Sequence, residues 1–264
     1  MQLNSIKKAL VTGASSGIGE TFARELASRK VDLVLVARSR DQLDRLASEL
    51  QGQHGIQVQV IAKDLTEPDA TPVVFDAVAG GGETVDLLIN NAGFGDYGPF
   101  ETRSLDKQMQ MVQLNIGVLV GLTYRFLSAM KPRNRGAIVN VSSIAAYQPL
   151  PYLSVYSASK AFVLNFTEAL WAENQDSGVR ILALCPGPTE SNFFDAAEFP
   201  ASFRGAGNSL TPAEEVVKDT LAALEKDFST LVTGGLSNQI IVNLPRLLPR
   251  DTIVGLVEKQ FRPN

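Results

Sequence analysis

The stretch "ALVTGASSGIGETFARELA", residues 9–27, decides how the chain is read. It opens with apolar and β-branched residues, as a buried strand does, and from Gly17 onward its apolar residues recur at helical spacing. Between the two halves stand Gly13, Gly17 and Gly19, spaced Gly-x-x-x-Gly-x-Gly. A strand that turns through glycines into a helix presents free N–H groups and the positive end of the helix dipole, and glycines let a phosphate approach the backbone closely. The spacing departs from the common dinucleotide fingerprint Gly-x-Gly-x-x-Gly, so on this stretch alone a tight turn without ligand stays open.

Outward from that turn, short β-branched runs alternate with longer segments of helical period. Strands are expected at Lys7–Thr12, Val31–Ala37, Ile56–Ala62, Val85–Ile89, Gly136–Val141, Val179–Leu184 and Thr230–Thr233. Helices are expected near Gly17–Arg29, Asp41–Leu50, Thr66–Val78, Leu105–Met130, Tyr156–Gln175 and Pro212–Lys226. Several strands are apolar throughout, as buried parallel strands are. The plan is α/β, a Rossmann-like doubly wound parallel sheet of about seven strands flanked by helices. No proline-rich, serine-rich or charged linker divides the 264 residues, so 1–264 reads as a single domain.

Composition narrows the partners. The 45% hydrophobic and 20% charged residues are ordinary globular values, and a net charge of -4 gives no reason to expect nucleic acid. A lone cysteine, Cys185, and a lone histidine, His54, leave no intramolecular disulfide and no Cys/His zinc site, so no metal is expected and a reducing, cytoplasmic setting fits. The N-terminus lacks a signal-peptide pattern, and no apolar run is expected to span a bilayer. The segment 236–264, expected as a helical extension, alternates apolar residues with Arg246, Arg250 and Lys259. It packs on the body or a second subunit, or lies on a membrane surface; Pro245 and Pro249 interrupt any long amphipathic helix.

Pro186–Thr211 has little regular pattern and carries Phe193, Phe194, Phe199 and Phe203 with Gly205 and Gly207. Loops this long inside a domain are functional or disordered, and four phenylalanines argue against permanent disorder. A lid at 189–211 over an apolar pocket is expected.

The end of the second strand discriminates between dinucleotides. A carboxylate there accepts the ribose hydroxyls of NAD, whereas an arginine accommodates the extra phosphate of NADP. Here Ala37 stands at the acid position and Arg38 follows, with Ser15 able to add a hydroxyl, which favours NADP(H) over NAD(H). The bland reading of Arg38 and Arg40 is a solvated face.

In "SVYSASKAFV", residues 154–163, Tyr156 and Lys160 stand four apart and therefore share a helix face. For a phenol to work as acid or base near neutrality asks for a shift of roughly 3 pKa units, about 4 kcal/mol. An exposed lysine supplies little of that, so the site must be shielded and a second positive charge must help.

With "TGASSGIG" at 12–19, "NNAG" at 90–93, Asn115 in "QLNIGV", Ser143, "YSASK" at 156–160 and "PGPT" at 186–189, the chain resembles a short-chain dehydrogenase/reductase of the compact single-domain branch, over about Lys7–Thr233. The resemblance implies a dinucleotide-binding oxidoreductase domain. Tyr156 is implied as the acid/base toward a carbonyl or alcohol, Ser143 as the donor to its oxygen, Lys160 as the residue that lowers the tyrosine pKa and bonds the nicotinamide ribose, and Asn115 as the holder of a relay water. Ser143 rather than Ser142 is chosen because it stands thirteen residues before the tyrosine. The cofactor would lie against Gly13, Ser15, Ser16, Gly17, Ile18, Gly19, Arg38, Asp64, Leu65, Asn91, Gly93, Tyr156, Lys160, Pro186, Gly187 and Thr189.

The function expected is NADP(H)-dependent hydride transfer between a carbonyl and a secondary alcohol. The alternative is an NADP(H)-binding regulatory or scaffold protein with little turnover; an extended-branch epimerase or dehydratase would carry a sizeable C-terminal substrate domain. Phe94, Tyr97, Leu150, Tyr152, Phe193 and Phe194 point to an apolar small-molecule substrate, and a homodimer or homotetramer is expected. Cys185 reads as an inert buried thiol, His54 as an exposed turn residue and Trp171 as packing.

Overall fold

The computed structural model describes residues 5–80, 84–200 and 210–263. Seven strands form one sheet: β1 (Lys8–Thr12), β2 (Asp32–Ala37), β3 (Val58–Ala62), β4 (Leu87–Asn90), β5 (Gly136–Val141), β6 (Val179–Cys185) and β7 (Thr230–Val232). Every pairing is parallel, in the order β3-β2-β1-β4-β5-β6-β7. The chain winds outward from β1 in one direction and resumes from β4 in the other, so a crevice opens where their carboxyl ends diverge.

Alternation along each strand feeds two cores. Ala9, Val11, Leu33 and Leu35 point to the face covered by α1 (Gly17–Ser28) and α2 (Arg40–His54), where Phe22, Leu26, Leu43 and Leu50 are buried. Leu10, Val34 and Val36 point to the opposite face, against Val74 and Val78 of α3 (Ala70–Ala79). The long helix forms as α4 (Leu105–Val112), a π-helical stretch Gln113–Val118 and α5 (Leu119–Met130), whose Leu122, Phe126 and Met130 join the same core. By length and composition this helix, continued to Arg133, is long and apolar enough to cross a bilayer, which corrects the expectation that no such run exists. A core helix passes the same test, and here it lies on the sheet.

Polar side chains tie the layers at the centre. Asn140 on β5 accepts from Asn90 on β4 at 2.8 Å and from Thr123 on α5 at 3.3 Å. It donates to Thr167 of α6 (Ser154–Glu173) at 3.1 Å. Four elements thus meet at one fully buried amide.

After β6 come a short helical turn α7 (Phe193–Ala196), α8 (Ala213–Lys226), and two helices at the C-terminus, α9 (Gly235–Asn243) and α10 (Arg250–Phe261). Val242, Ile253 and Val257 are buried, so the C-terminal helices pack one face on the body. Of the expected lid, Phe203, Gly205 and Gly207 lie outside the described residues. The two ends of that loop meet as Thr189 pairs with Thr211.

Replacing Asn140 by alanine removes the acceptor of one Asn90 N–H and of the Thr123 hydroxyl and the donor to Thr167, while Asn90 keeps its bond to Thr123 and Thr167 its bond to Val163 O. Urea unfolding should show a loss of roughly 2–4 kcal/mol, far above that of a surface substitution.

Candidate active site

One cavity of about 720 Å³ runs along the crevice, lined by residues at the carboxyl ends of β1 to β6. At its phosphate end, α1 begins at Gly17 after Ser16, whose extended backbone makes no side-chain cap, so the first-turn amides face the cavity with no hydroxyl bonded to them. Gly13 holds φ +65°, and a Cβ there would stand 2.8 Å from Asn91 Nδ2. Thr12 secures that contact: its hydroxyl accepts from the amides of Asn91 and Ala92, each at 3.0 Å, and Asn91 Nδ2 donates to Thr12 O at 2.9 Å. Ser15, Ser16 and Ile18 line the cavity, and Gly19 stands behind them. A Cβ on Gly19 would lie 2.2 Å from Gly13 O, so glycine there lets helix and strand pack.

The adenosine end is made by Ala37, Arg38, Ser39, Lys63, Asp64, Leu65 and Thr66. Arg24, Arg29 and Arg40 each pair with a carboxylate, whereas Arg38 has no ion-pair partner among the described residues. Burial acts to raise the Asp64 carboxyl, but bonds from Thr66 and the charges of Arg38 and Lys63 hold it below the usual range. Asp64 is therefore an ionised acceptor at neutral pH. Lys63, which stands beside Asp64 in sequence, belongs to this wall but is engaged by Glu67 and Asp69.

At the other end Ser143 follows β5 with an extended backbone; its hydroxyl accepts from Ala145 N at 3.1 Å and acts on the Tyr156 phenol, whose pKa it lowers. Tyr156 and Lys160 share a face of α6, the ammonium 5.8 Å from the ring centroid. Lys160 is buried and donates to Val141 O at 2.8 Å. Adjacent Ser142 donates to Lys160 O at 2.7 Å, so the two serines divide into a fastener and a site residue. Burial raises the Tyr156 pKa to about 12, partly offset by the neighbouring Ser143 hydroxyl, and lowers Lys160 to about 8. Loss of water penalises the phenolate more than the protein groups alone compensate, and the second positive charge that a depression requires would come with a bound cofactor.

Asn115 lies behind this surface and does not line the cavity. Its amide donates to Phe94 O and to Ser159 Oγ, and its Oδ1 accepts from Phe94 N. The π-helical stretch carries it there, the kind of helical irregularity that clusters at functional sites. Gly93 leaves room for it: a Cβ would stand 2.9 Å from Asn115 Oδ1 and 3.5 Å from Lys160 Nζ. Leu65, Asn91, Gly93, Pro186, Gly187 and Thr189 all line the cavity.

Beyond Tyr156 the walls become apolar, with Phe94, Leu150, Leu153, Phe193, Phe194 and Phe199. Phe193 packs on the Tyr156 ring at 5.1 Å between centroids. Tyr97 and Tyr152 do not line the cavity, contrary to expectation. Each fastens α10: Tyr97 donates to Phe261 O at 2.7 Å and Tyr152 to Glu258 Oε1 at 2.8 Å. Gln260 and Phe261 thereby reach the cavity, and no local sequence signal could have placed them there. Cys185 is buried, its thiol pushed up to about 12 by desolvation.

Comparison with known proteins bears on this arrangement. A family model for short chain dehydrogenase matches residues 7–199. A very-long-chain 3-oxoacyl-CoA reductase of Anas platyrhynchos is 31% identical over 257 residues, 95% of this chain and 78% of that protein. A 17-beta-hydroxysteroid dehydrogenase type 3 of Rattus norvegicus is 30% identical over 255 residues, covering 96% and 80%. Among solved structures, a short-chain dehydrogenase from Sphingobium yanoikuyae in complex with NADPH superposes with a TM-score of 0.81 at 28% identity, over 97% of this chain and 95% of the other.

The lysine has a consequence for stability. Held at about 8 in the folded chain against an ordinary 10.5, it binds fewer protons than in the unfolded chain between those values, so its contribution to stability rises with pH across that window. Relative to a Lys160→Met variant, the wild type should therefore gain stability as pH rises through the window, measured by urea unfolding of both.

Proposed function

The chain belongs to the short-chain dehydrogenase family of oxidoreductases acting on a carbonyl or CH–OH group, and we propose that it is an NADP(H)-dependent enzyme interconverting a bulky apolar ketone and its secondary alcohol. The observation that carries this reading is the convergence of Ser143, Tyr156 and buried Lys160 on one cavity, set between a cradle for a dinucleotide and an aromatic compartment.

The residues present fit such a cofactor. The Gly13–Gly17 turn and the start of α1 would take the pyrophosphate, Asp64 and Leu65 the adenosine, and Asn91, Gly93, Pro186, Gly187 and Thr189 the nicotinamide half. Arg38, unpaired among the described residues, would meet a ribose phosphate by charge-assisted hydrogen bonds, and Ala37 offers no carboxylate to repel it. When bound, the nicotinamide supplies or accepts the hydride.

In the reductive direction the Ser143 hydroxyl and the Tyr156 phenol both donate to the substrate oxygen and polarise the carbonyl. As the carbon gains hydride, the Tyr156 proton passes to that oxygen, leaving a phenolate that the Lys160 ammonium stabilises. A phenol pushed up to about 12 is in the protonated form that reduction needs. Asn115 holds the turn after β4 against α6 and so positions the face on which Tyr156 and Lys160 stand. Phe193 on the tyrosine ring favours an apolar body next to the reacting carbonyl, consistent with relatives that act on very-long-chain 3-oxoacyl-CoA and on 17-beta-hydroxysteroids. Helix α7 and the residues flanking it are the lid over that compartment.

Tyr156→Phe should lose at least about a hundredfold in turnover while fluorescence titration shows nearly unchanged NADPH affinity; retained turnover would refute the assigned chemistry. Arg38→Ala should weaken NADPH binding by roughly 10- to 100-fold and leave NADH binding unaltered. An equal effect on both nucleotides would remove Arg38 from the phosphate site.

A further inference from the structure

Helix α9 turns much of its apolar surface outward. Its body-facing positions are Asn238 and Val242, and Asn238 is buried with its amide donating to Thr233 O at 2.7 Å. Its outward positions carry Leu236, 83% exposed, Ile240, 66% exposed, and Ile241. The apolar outer surface continues through Leu244, Leu247 at 80% exposed, and Leu248, and Leu256 on α10 is exposed as well. These outer side chains add nothing to the core. A surface helix ordinarily turns apolar residues inward and polar ones to water, and an exposed apolar patch of this kind signals an interaction.

The charge around the patch distinguishes its occupant. From residue 228 to residue 250 there is no aspartate or glutamate, while Arg246 and Arg250 stand in that span, in a chain whose net charge is -4. Two copies meeting through α9 and the 244–248 segment about a two-fold axis would set a surface with no carboxylate of its own, Asp251 standing at its edge beside Arg250, against its own image. An anionic lipid surface complements both the apolar side chains and the cations.

We propose that the outer face of α9 and the Leu244–Leu248 segment after it dock the protein peripherally on an anionic bilayer. Docking there has a geometric consequence. Val242, Pro245, Arg250 and Ile253 line a small cleft with Tyr147, Gln148 and Pro149, and α10 runs on from this cleft to Phe261 at the wall of the large cavity. The lipid-facing surface and the apolar compartment are thus connected by one helix, and a substrate that partitions into lipid would be concentrated beside the compartment.

The test is flotation of the whole chain with vesicles of phosphatidylcholine alone or with about 30 mol % phosphatidylserine. The wild type should float with the anionic vesicles, and less with the neutral ones or at high salt. Ile240→Glu combined with Leu247→Glu should reduce flotation about tenfold or more, with an unchanged unfolding temperature. Arg250→Gln should reduce only the part that depends on phosphatidylserine. A wild type that stays at the bottom of the gradient overturns the proposal. So do glutamate substitutions that leave flotation intact and instead lower the oligomer mass measured by light scattering, because the occupant is then a second copy. The readout is vesicle binding rather than turnover, so its failure is separable from failure of the oxidoreductase reading.

Discussion

Lys160 is fastened to strand β5 at both of its ends. Its ammonium donates to Val141 O, and its own carbonyl accepts from Ser142 Oγ. One buried side chain therefore fixes the height and rotation of α6 against the sheet, and with them the direction of Tyr156 toward Ser143. An ammonium is costly to bury, and the lowered pKa records that cost. The fold accommodates it because the carbonyl of Val141, at the end of β5, accepts from the ammonium.

The other contacts at the site serve the same alignment from a distance. Asn140 joins β4, β5, α5 and α6 one layer below, and Asn115 joins the turn after β4 to Ser159 one layer behind. Both are buried amides whose hydrogen-bonding capacity is spent on backbone or on other side chains. Such networks act as a unit, since removing any member leaves the others unpaired in a medium that cannot replace water. Precision at the reacting atoms thus rests on polar groups that never touch them.

The substrate side obeys a different logic. Its walls come from α7, the loop before α6 and the C-terminal helix, brought together by aromatic contacts and two tyrosine hydroxyls. A second fastening is ionic: Asp96, buried, pairs with Arg103 and Lys107, and Glu198 reaches the same two cations from the far side of α7. Packing and charge here hold loops that the sheet does not.

The sequence by itself determined the sheet and the chemistry. Glycine spacing after a strand, apolar runs of strand length and a tyrosine and lysine four apart are local patterns, and local patterns impose local geometry whatever surrounds them. That is why the glycine turn, Arg38, Asp64, Ser143, Tyr156 and Lys160 were all legible as one cavity's lining. The tertiary structure alone decided the properties that depend on distant segments. It enclosed Tyr156 and Lys160 together, which without cofactor raises the phenol and lowers the ammonium, since burial is a sum over the whole surroundings. It set Gly19 and Asn115 behind the cavity wall, and made Tyr97 and Tyr152 fasteners instead of pocket walls. It also brought Phe261, far along the chain, to the same compartment as Tyr156, a contact that no periodicity encodes, because it is set by how helices pack and not by how they begin.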